Sequence, residues 1–314
     1  MQITDQITDQ KTPARGGMLL GLIGVAIFSL TLPATRLAVA ELPPLFVALG
    51  RALVAALLAL VWLASKRVPL PPRSALAPLA IVAVGCVIGF PWLTSIALQT
   101  VPASHGAVLV GILPLATAVF SALRGNENPS AGFWISAAAG SALVAAFALH
   151  QSGGSLHRAD LLLFGAVLLA AAGYTEGARL SQSLGGPQVI SWALVLGAPI
   201  VAPLLLWLSW PHLATIAQAG THAWLAFGYV SVFSMYIGFF FWYAGLARGG
   251  IARVGQVQLL QPFMSLAAAA LLLGEPLTWA TVAFALVVIG VVAVGRQTRV
   301  NQVRCDRDTV LMPK

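Results

Sequence analysis

Two charged side chains, Arg51 and Glu176, lie inside long apolar runs of this 314-residue chain. A charge within a bilayer costs about 3 kcal/mol on insertion scales, so each needs a partner or a wet cavity. Arg51 has three interpretations: it snorkels to the membrane surface, it pairs with Glu275, or it binds the carboxylate of a solute. Glu176 either pairs with Arg179, three residues later on the same helical face, or provides a proton or amine site.

Amides and aromatic rings are the other candidate binding groups. Gln258 and Gln261 share one face of a helix, and amides that faced lipid would leave hydrogen-bond donors unsatisfied. We therefore expect both to point into the protein, where they bond other helices or contact a zwitterionic solute. The predicted binding set is completed by four aromatic residues within apolar runs: Trp92, Tyr174, Tyr236 and Tyr243.

The histidines and cysteines predict no metal site. Cys86 lies within an apolar run and Cys305 in the polar tail, so no disulfide is expected. The five histidines lie at or near the ends of apolar runs, and their spacing does not match that of zinc ligands. We expect no cofactor, no bound metal and no catalytic residues.

Composition points to a membrane protein. Hydrophobic residues make up 59% of the chain and charged residues 8%, whereas a soluble globular chain carries about 25% charged residues. So few charges cannot cover a solvated surface, and lipid must cover much of it instead. The net charge of +8 does not indicate nucleic-acid binding, because the basic residues lie between apolar runs rather than on a polar domain.

Ten apolar runs are long enough to cross a bilayer, which takes roughly 20 residues. The loops between them are too short to hold a soluble domain. We therefore predict an all-α integral membrane protein with ten transmembrane helices. The predicted helices are Gly17–Ala34, Pro44–Ala64, Ala75–Leu98, Ser104–Leu123, Ala131–His150, Asp160–Ser181, Gln188–Trp210, His222–Leu246, Ile251–Gly274 and Leu277–Gly295.

The distribution of Lys and Arg predicts the orientation, because these residues mark the cytoplasmic side. If both termini are cytoplasmic, the inner segments hold 14 of the 17 basic residues. The outer segments then hold only Arg36 and Arg158, while Arg51 lies within a span. We therefore expect a multi-pass protein of a bacterial-type inner membrane with both termini in the cytoplasm.

The two halves of the chain resemble each other. Pro114 and Pro262 each lie in the fourth span of a five-span half, and each is followed thirteen residues later by a glutamate, Glu127 or Glu275. Because five is odd, the second half enters the membrane from the opposite side, which makes the repeat inverted, as in many secondary transporters. The predicted domains are an N-terminal tail 1–16, repeats 17–150 and 160–295, and a C-terminal tail 296–314.

The two matched prolines lie in the middle of their predicted spans. A proline within a helix frees a backbone carbonyl and bends the helix. Pro114 and Pro262 are therefore interpreted either as packing kinks or as hinges beside a cavity. Substrate sites in inverted-repeat transporters lie near the bilayer midplane, between the repeats.

Three short motifs carry a resemblance to a known family. They are Leu49-Gly50-Arg51-Ala52-Leu53, Gln261-Pro262-Phe263 and Leu272-Leu273-Gly274-Glu275-Pro276-Leu277-Thr278. Together with the two five-span repeats, they resemble the EamA-type members of the drug/metabolite transporter superfamily. The first repeat departs from the pattern, since Gly125-Asn126-Glu127 stands where the family has adjacent glycine and glutamate. The resemblance implies a transporter of small molecules, and such proteins commonly export amino acids and other metabolites.

We expect a secondary transporter that moves a small organic solute by rocking two bundles around a central cavity. A flippase for a lipid carrier is the first alternative, although its headgroup would need more cavity charge than Arg51 and Glu176 offer. An intramembrane enzyme acting on lipid phosphates is the second, and it would need a cluster of charged residues that the sequence lacks.

Small residues recur every four positions along the predicted fifth span, at Gly132, Ser136 and Gly140. This spacing lets two helix backbones approach closely. It predicts a tight seam, either with the tenth span or with a second copy of the chain in a homodimer.

Overall fold

The computed structural model describes residues 11–124, 127–151, 157–249, 254, 256–297 and 300–302, and nearly all of them are helical. The α-helices are α1 (Lys11–Ser29), α2 (Thr31–Val39), α3 (Pro44–Ser65), α4 (Arg73–Val82), α5 (Phe90–Ala97), α6 (Ala103–Val110), α7 (Leu113–Leu123), α8 (Ala131–Gln151), α9 (Arg158–Leu184), α10 (Gly186–Ser209), α11 (Leu213–Gln218), α12 (Thr221–Tyr229), α13 (Gly238–Gly249), α14 (Gln261–Leu273) and α15 (Trp279–Gln297).

Other regular elements are short. Two three-residue strands, β1 (Glu127–Pro129) and β2 (Val300–Gln302), pair antiparallel, with Glu127 opposite Gln302. The remaining elements are π-helical stretches and 3-10 turns that continue or join α-helices: Ala83–Gly89, Trp210–His212, Val230–Ile237 and Gln256–Leu260.

Seven helical rods in the described part of the chain are long and apolar enough to cross a membrane. They are Gly16–Val39, Pro44–Ser65, Arg73–Ala97, Ala103–Leu123, Arg158–Leu184, Gly186–Gln218 and Thr221–Gly249. Three shorter apolar helical stretches, Ala138–Phe147, Val257–Leu273 and Trp279–Val291, lie within the predicted fifth, ninth and tenth spans. We number these the first to tenth segments in chain order.

The helical membrane architecture is as predicted, while the total of ten crossings stays a prediction. The end of the first segment was predicted wrongly at Ala34. The helix continues to Val39, because Leu37, Ala38 and Val39 extend the apolar sequence past Arg36.

The fourth segment is interrupted near its middle, and the ninth is interrupted near the start of its described part. In the fourth, α6 ends at Val110 and α7 begins at Leu113, while in the ninth the 3-10 turn Gln256–Leu260 precedes α14. Pro114 and Pro262 are each the second residue of the helix that follows the break. The predicted mid-helix kink is therefore wrong in detail. Each proline starts a new helix, where its missing amide hydrogen would have had no partner in any case.

The same irregularities recur at equivalent places in the two halves. The third and eighth segments both contain a π-helical stretch, Ala83–Gly89 and Val230–Ile237. The fourth and ninth segments are both broken just before a proline. The third and fourth segments of the first half thus share their irregularities with the eighth and ninth segments of the second half.

Helix packing joins the halves segment by segment. The first segment packs against the eighth, the third against the sixth, the second against the seventh, the fourth against the ninth, and the fifth against the tenth. Exchanging the two halves, so that the first becomes the sixth and the third becomes the eighth, leaves this set of pairs unchanged. Such a set is what a two-fold relation between the halves produces.

Glycines allow the closest of these approaches. A Cβ on Gly245 of the eighth segment would lie 2.7 Å from the amide nitrogen of Gly21 and 2.9 Å from the carbonyl oxygen of Gly17, both in the first segment. A Cβ on Gly85 of the third segment would lie 3.1 Å from the amide nitrogen of Gly173 in the sixth. Backbones that approach this closely gain van der Waals contact, which drives helix association in lipid.

The predicted small-residue seam of the fifth segment is found in part. A Cβ on Gly140 would lie 3.0 Å from Leu115 Cδ2 of the fourth segment and 3.6 Å from Val291 Cγ1 of the tenth. Gly140 therefore faces the tenth segment within the same chain, which was one of the two predicted partners.

We expect Gly245→Ala to lower the thermal unfolding temperature in detergent, because its methyl group would meet the backbone of the first segment. Gly228→Ala is the matched control in the same segment, since a Cβ there has nothing within 4 Å. The control should be neutral or stabilising by up to about 1 kcal/mol, the helix-propensity gain of alanine over glycine. Equal unfolding temperatures for the two variants would contradict the packing described for the first and eighth segments.

Candidate functional site

A small central cavity of about 30 Å³ lies between the two halves. The first to fourth segments line it from one half, and the sixth, eighth and ninth line it from the other. Several of these segments are irregular where they meet the cavity. Irregular backbone within a membrane is tolerated where it lines a cavity.

Arg51 lines this cavity and is 2% exposed. One guanidinium nitrogen, Nη2, donates a hydrogen bond to Ser234 Oγ at 2.8 Å, while Nε and Nη1 have no hydrogen-bond partner. Ser234 Oγ also lies 2.8 Å from Thr31 Oγ1. Because it accepts from Arg51, the serine hydroxyl has its own hydrogen to donate to Thr31. Arg51 is thus held in place at one nitrogen and keeps unused donors at the cavity.

Two of the three interpretations of Arg51 are wrong in this structure. The side chain is buried, so it does not snorkel to the surface. Glu275 is not its partner either, because its two carboxylate oxygens accept hydrogen bonds from the backbone amides of Ala103 and Ser104, each at 2.8 Å. Glu275 therefore caps the start of α6 in the other half, where a negative charge stabilises the helix dipole.

The Gly274-Glu275 motif has a structural explanation. Gly274 follows α14 with φ 65°, a left-handed conformation that ends the helix and favours glycine. The chain then turns, and Glu275 reaches the start of α6. The motif therefore ends one helix and caps another. In the first half, Gly125 and Asn126 lie outside the described residues, and Glu127, the counterpart of Glu275, begins β1.

A second, smaller cavity of about 10 Å³ adjoins the first and shares Gln261 with it. Gln258, Pro114 and Pro262 line this second cavity together with Gln261. Gln258 Nε2 and Gln261 Oε1 are buried and have no hydrogen-bond partner. The structure thus brings together the two glutamines and the matched prolines of both halves, and the glutamines point inward as expected.

Aromatic rings form one wall of the central cavity. Tyr174, Phe28 and Phe239 line it, and the ring of Tyr174 lies edge-on to that of Phe239 with centroids 6.0 Å apart. Behind them lies Trp242, whose ring centroid is 5.9 Å from that of Tyr174. The indole nitrogen of Trp242 has no hydrogen-bond partner. Of the four aromatic residues in the predicted binding set, Tyr174 is at the cavity.

The other three aromatic residues of the predicted set line neither of these two cavities. Tyr236 places its hydroxyl oxygen 3.0 Å from Ser191 Oγ in the seventh segment. Tyr243 is fully buried and donates a hydrogen bond to the carbonyl oxygen of Gly173 at 3.4 Å. Trp92 is half-buried beside the apolar core. Their helical spacing could not show which neighbouring segment each ring would face.

Glu176 forms ion pairs at the opposite end of the bundle from Glu275. Its Oε1 lies 2.5 Å from Nε of Arg124, at the end of the fourth segment, and 3.5 Å from Nη1 of Arg179. The predicted pair with Arg179 is therefore confirmed, but Arg124 is the closer partner. The hydrogen bond from Arg124 to Glu176, and the negative charge of that carboxylate, raise the pKa of Arg124 above its ordinary value.

The sequence interpretation missed a second contact between ionisable side chains, formed by His105 and Asp160. His105 Nε2 lies 2.6 Å from Asp160 Oδ1, and both side chains are buried. These residues are 55 positions apart in the chain, so no local spacing signals the contact. The described residues contain no group of three or more His, Cys, Asp or Glu side chains that could hold a metal ion.

Comparison with known families agrees with this architecture. The sequence model of the EamA-like transporter family matches residues 15–148 and again residues 157–295. The chain belongs to the EamA-like transporter family. The family model thus covers each half of the chain once and leaves little outside the two matches.

One relative and one solved structure extend the comparison. The chain is 51% identical over 281 residues to the uncharacterized transporter YdeK of Bacillus subtilis (strain 168), covering 90% of this chain and 97% of that protein. A solved structure described only as the crystal structure of a protein superposes with a TM-score of 0.61 at 17% identity, covering 90% of this chain and 99% of the other. That likeness concerns the fold alone. The protein is therefore a bacterial multi-pass membrane transporter of the EamA-like family.

We expect the destabilising effects of Glu275→Gln and Arg51→Leu to be additive, because the two side chains share no partner. Glu275→Gln should cost about 1 to 2 kcal/mol through the weakened cap of α6. Thermal unfolding of both single variants and the double variant in detergent measures this. If Arg51→Leu instead restores the stability lost in Glu275→Gln, the two residues form an ion pair and the capping role is wrong.

Proposed function

We propose that this protein is a secondary transporter that moves small organic solutes across the bacterial inner membrane by alternating access, with export of amino acids or related metabolites. The observation that carries the proposal is Arg51. A permanent cation is buried at a cavity between two repeats, with two of its nitrogens unpartnered. A buried cation without a counter-charge is strongly unfavourable, and a solute carboxylate would supply that counter-charge and accept a hydrogen bond from a free guanidinium nitrogen.

The other cavity groups suit the remainder of such a solute. Gln261 Oε1 is a buried acceptor without a partner and lines both cavities, so it is placed to accept from an ammonium, amide or hydroxyl group. Phe28, Tyr174 and Phe239 offer aromatic faces to an apolar side chain or to a cation. We propose Arg51, Tyr174 and Gln261 as the main substrate-binding residues, with Gln258 beside them in the second cavity.

Trp92, Glu176, Tyr236 and Tyr243 take supporting roles in this proposal. Tyr236 and Tyr243 hold the eighth segment against the seventh and sixth through their hydroxyl groups. Glu176 is engaged by two arginines, so a free amine would have to displace a cation to reach it.

We further propose ten transmembrane helices arranged as two inverted repeats, 17–150 and 160–295. Contacts between distant residues support the even spacing of crossings that this arrangement requires. Glu275 contacts the start of the fourth segment, and six segments separate these points, which returns the chain to the same face. Glu41 accepts a hydrogen bond from the amide of Gly220 at the start of the eighth segment, again six segments later.

Alternating access would use the broken segments. Pro114 and Pro262 start new helices at the breaks of the fourth and ninth segments and line the same cavity. A break in the backbone hydrogen-bond ladder lets the outer and inner parts of a segment change their angle independently. We propose that these two breaks are the hinges on which the repeats rock.

The lipid-carrier flippase is the remaining alternative. A phosphate-bearing headgroup is best recognised by several cations, and Arg51 is the one charged residue lining either cavity in the described part of the chain. One cation matches one carboxylate, so the small-solute transporter is favoured.

We expect purified protein in proteoliposomes to move members of an amino-acid panel, and Arg51→Lys to lower the flux about tenfold, equivalent to about 1.4 kcal/mol. Lysine keeps the charge but loses the planar fork that binds a carboxylate at two points. Arg158→Lys is the matched control at an exposed site and should keep wild-type flux. Wild-type flux in folded Arg51→Lys would move the substrate site elsewhere, and no flux for any panel member would reject the amino-acid assignment.

We expect both termini to face the cytoplasm. A reporter fused after Lys314 and a reporter inserted within 153–156, which lie outside the described residues, should therefore label from opposite sides of the membrane. A reporter enzyme that is active on only one side of the membrane can be used at both positions in intact cells. Labelling from the same side would overturn the ten-span inverted arrangement.

A further inference from the structure

The fourth and sixth segments are joined by a charged pair at each end. At one end His105 contacts Asp160, with 2.6 Å between Nε2 and Oδ1, and at the other Arg124 contacts Glu176, with 2.5 Å between Nε and Oε1. Between the two pairs, both segments line the central cavity. Under the proposed topology the His105 pair closes the outer end of this wall and the Arg124 pair closes the inner end.

The outer pair is buried and its carboxylate is well satisfied. The side chains of His105 and Asp160 are 6% and 3% exposed. Asp160 Oδ2 also accepts a hydrogen bond from the backbone amide of His157 at 2.9 Å, so both oxygens of this side chain are engaged. The ring of Phe147 packs on His105 with centroids 5.3 Å apart, which keeps water away from one side of the pair.

The charge of this pair depends on one proton. With a neutral imidazole the pair carries one negative charge, and with a protonated imidazole it carries none. A net charge is costly in a buried, apolar place, whereas a neutral ion pair with a charge-assisted hydrogen bond is much less so. Histidine is also the side chain whose charge changes between about pH 5 and 8.

We propose that His105 and Asp160 form a proton-binding site whose occupancy controls the opening of the outer end of the cavity, an inference that rests on the proposed transport function. The imidazole takes a proton from the outer water on the ring nitrogen that does not face Asp160. The resulting imidazolium–carboxylate bond holds the outer ends of the fourth and sixth segments together. Release of the proton to the same water weakens the bond and lets these ends separate.

The inner pair does not respond to protons in the same way. Arg124 stays protonated throughout the physiological range, and its contact with Glu176 favours the charged form further. Because Arg124 keeps its charge where His105 does not, external pH acts on the outer pair. The outer and inner contacts between the fourth and sixth segments therefore differ in their response to protons. Such a difference would allow the two ends of the cavity to open separately.

Other titratable groups near the outer pair are engaged elsewhere or exposed. Glu275 accepts from the amides of Ala103 and Ser104, directly before His105. His157 and His150 are exposed, and the ring of His150 lies 6.0 Å from Phe284. Two arginines also belong to this end of the bundle. Arg158 is exposed, and the guanidinium of the half-buried Arg36 donates a hydrogen bond to the carbonyl oxygen of Leu98.

Cys86 provides a reporter of the opening that needs no knowledge of the substrate. It lines the central cavity, is buried, and is one of two cysteines in the chain, so Cys305→Ser leaves it alone. In intact cells carrying this background, we would measure labelling of Cys86 by a membrane-impermeant maleimide between about pH 5.5 and pH 7.5, the range in which histidine titrates. His105→Gln keeps an N–H group beside Asp160 but cannot take up a proton.

We expect the labelling rate of the wild type, divided by that of His105→Gln, to rise at least about threefold from the lower to the higher pH. The division removes the pH dependence of the thiol reaction, which both proteins share, and leaves the effect of protons on the His105–Asp160 pair. His150→Gln, which removes another outer histidine, should follow the wild type. His105→Lys keeps a cation at every pH of the assay and should label slowly throughout, which tests the site even if His105→Gln is poorly folded.

A ratio that does not change with pH would overturn the proposal, as would loss of the pH dependence in His150→Gln. Absence of labelling in the wild type at every pH would also overturn it, since the outer end would then not open. The assay reports opening rather than flux. A failure to find a transported amino acid would therefore count against the proposed function and leave the gating result standing.

Discussion

Hydrocarbon offers no hydrogen-bond partner to a backbone amide or carbonyl, and the rest of this structure follows from that constraint. Nearly every described residue is helical, because a helix satisfies its backbone groups internally. The exceptions are informative. The breaks before Pro114 and Pro262 occur at a cavity between the two halves, where polar groups and space are available. Regular helices form most of the structure, and the irregular backbone lies at the cavity, where a solute would bind.

The same constraint applies to side chains, and most ionisable groups near the membrane meet it by pairing. Glu275 caps a helix of the other repeat, Glu176 has two arginines, and Asp160 has a histidine and a backbone amide. Arg51 differs from them because its only hydrogen bond is to a neutral serine. A charge kept in this state costs stability, and a protein retains such a group where the cost is offset by function.

The helical framework of this protein is repeated in its two halves, whereas the buried charge at the cavity is not. The repeated helix pairs, π-helical stretches and proline breaks give two similar halves that pack about one cavity. The buried charge of Arg51 does not follow the repeat. Leu194 follows Arg51 by 143 positions, the spacing that also relates Pro44 to Pro187 at the start of the second and seventh segments, and it lies in the apolar core. A symmetric scaffold therefore supplies the framework, while single, unrepeated residues supply recognition and control.

The linear sequence determined the class of this protein by itself. Apolar runs long enough to cross a bilayer, the placement of Lys and Arg, and the paired Pro and Glu positions depend on composition and spacing, which are local properties. They sufficed to predict a helical membrane protein, and the motifs around Arg51 and Glu275 indicated the family. The inward direction of Gln258 and Gln261 was also predictable, because the cost of an amide in lipid does not depend on its partner.

Only the tertiary structure decided which side chains meet. Depth in the membrane made Glu275 a reasonable partner for Arg51, yet the fold places its carboxylate on the amides of Ala103 and Ser104. Their position within apolar runs made Tyr236 and Tyr243 candidate binding residues, but neighbouring helices direct them to Ser191 and Gly173 instead. The contact of His105 with Asp160 could not be read from the chain at all. Partners far apart in sequence are set by helix rotation and packing, and no local pattern encodes these.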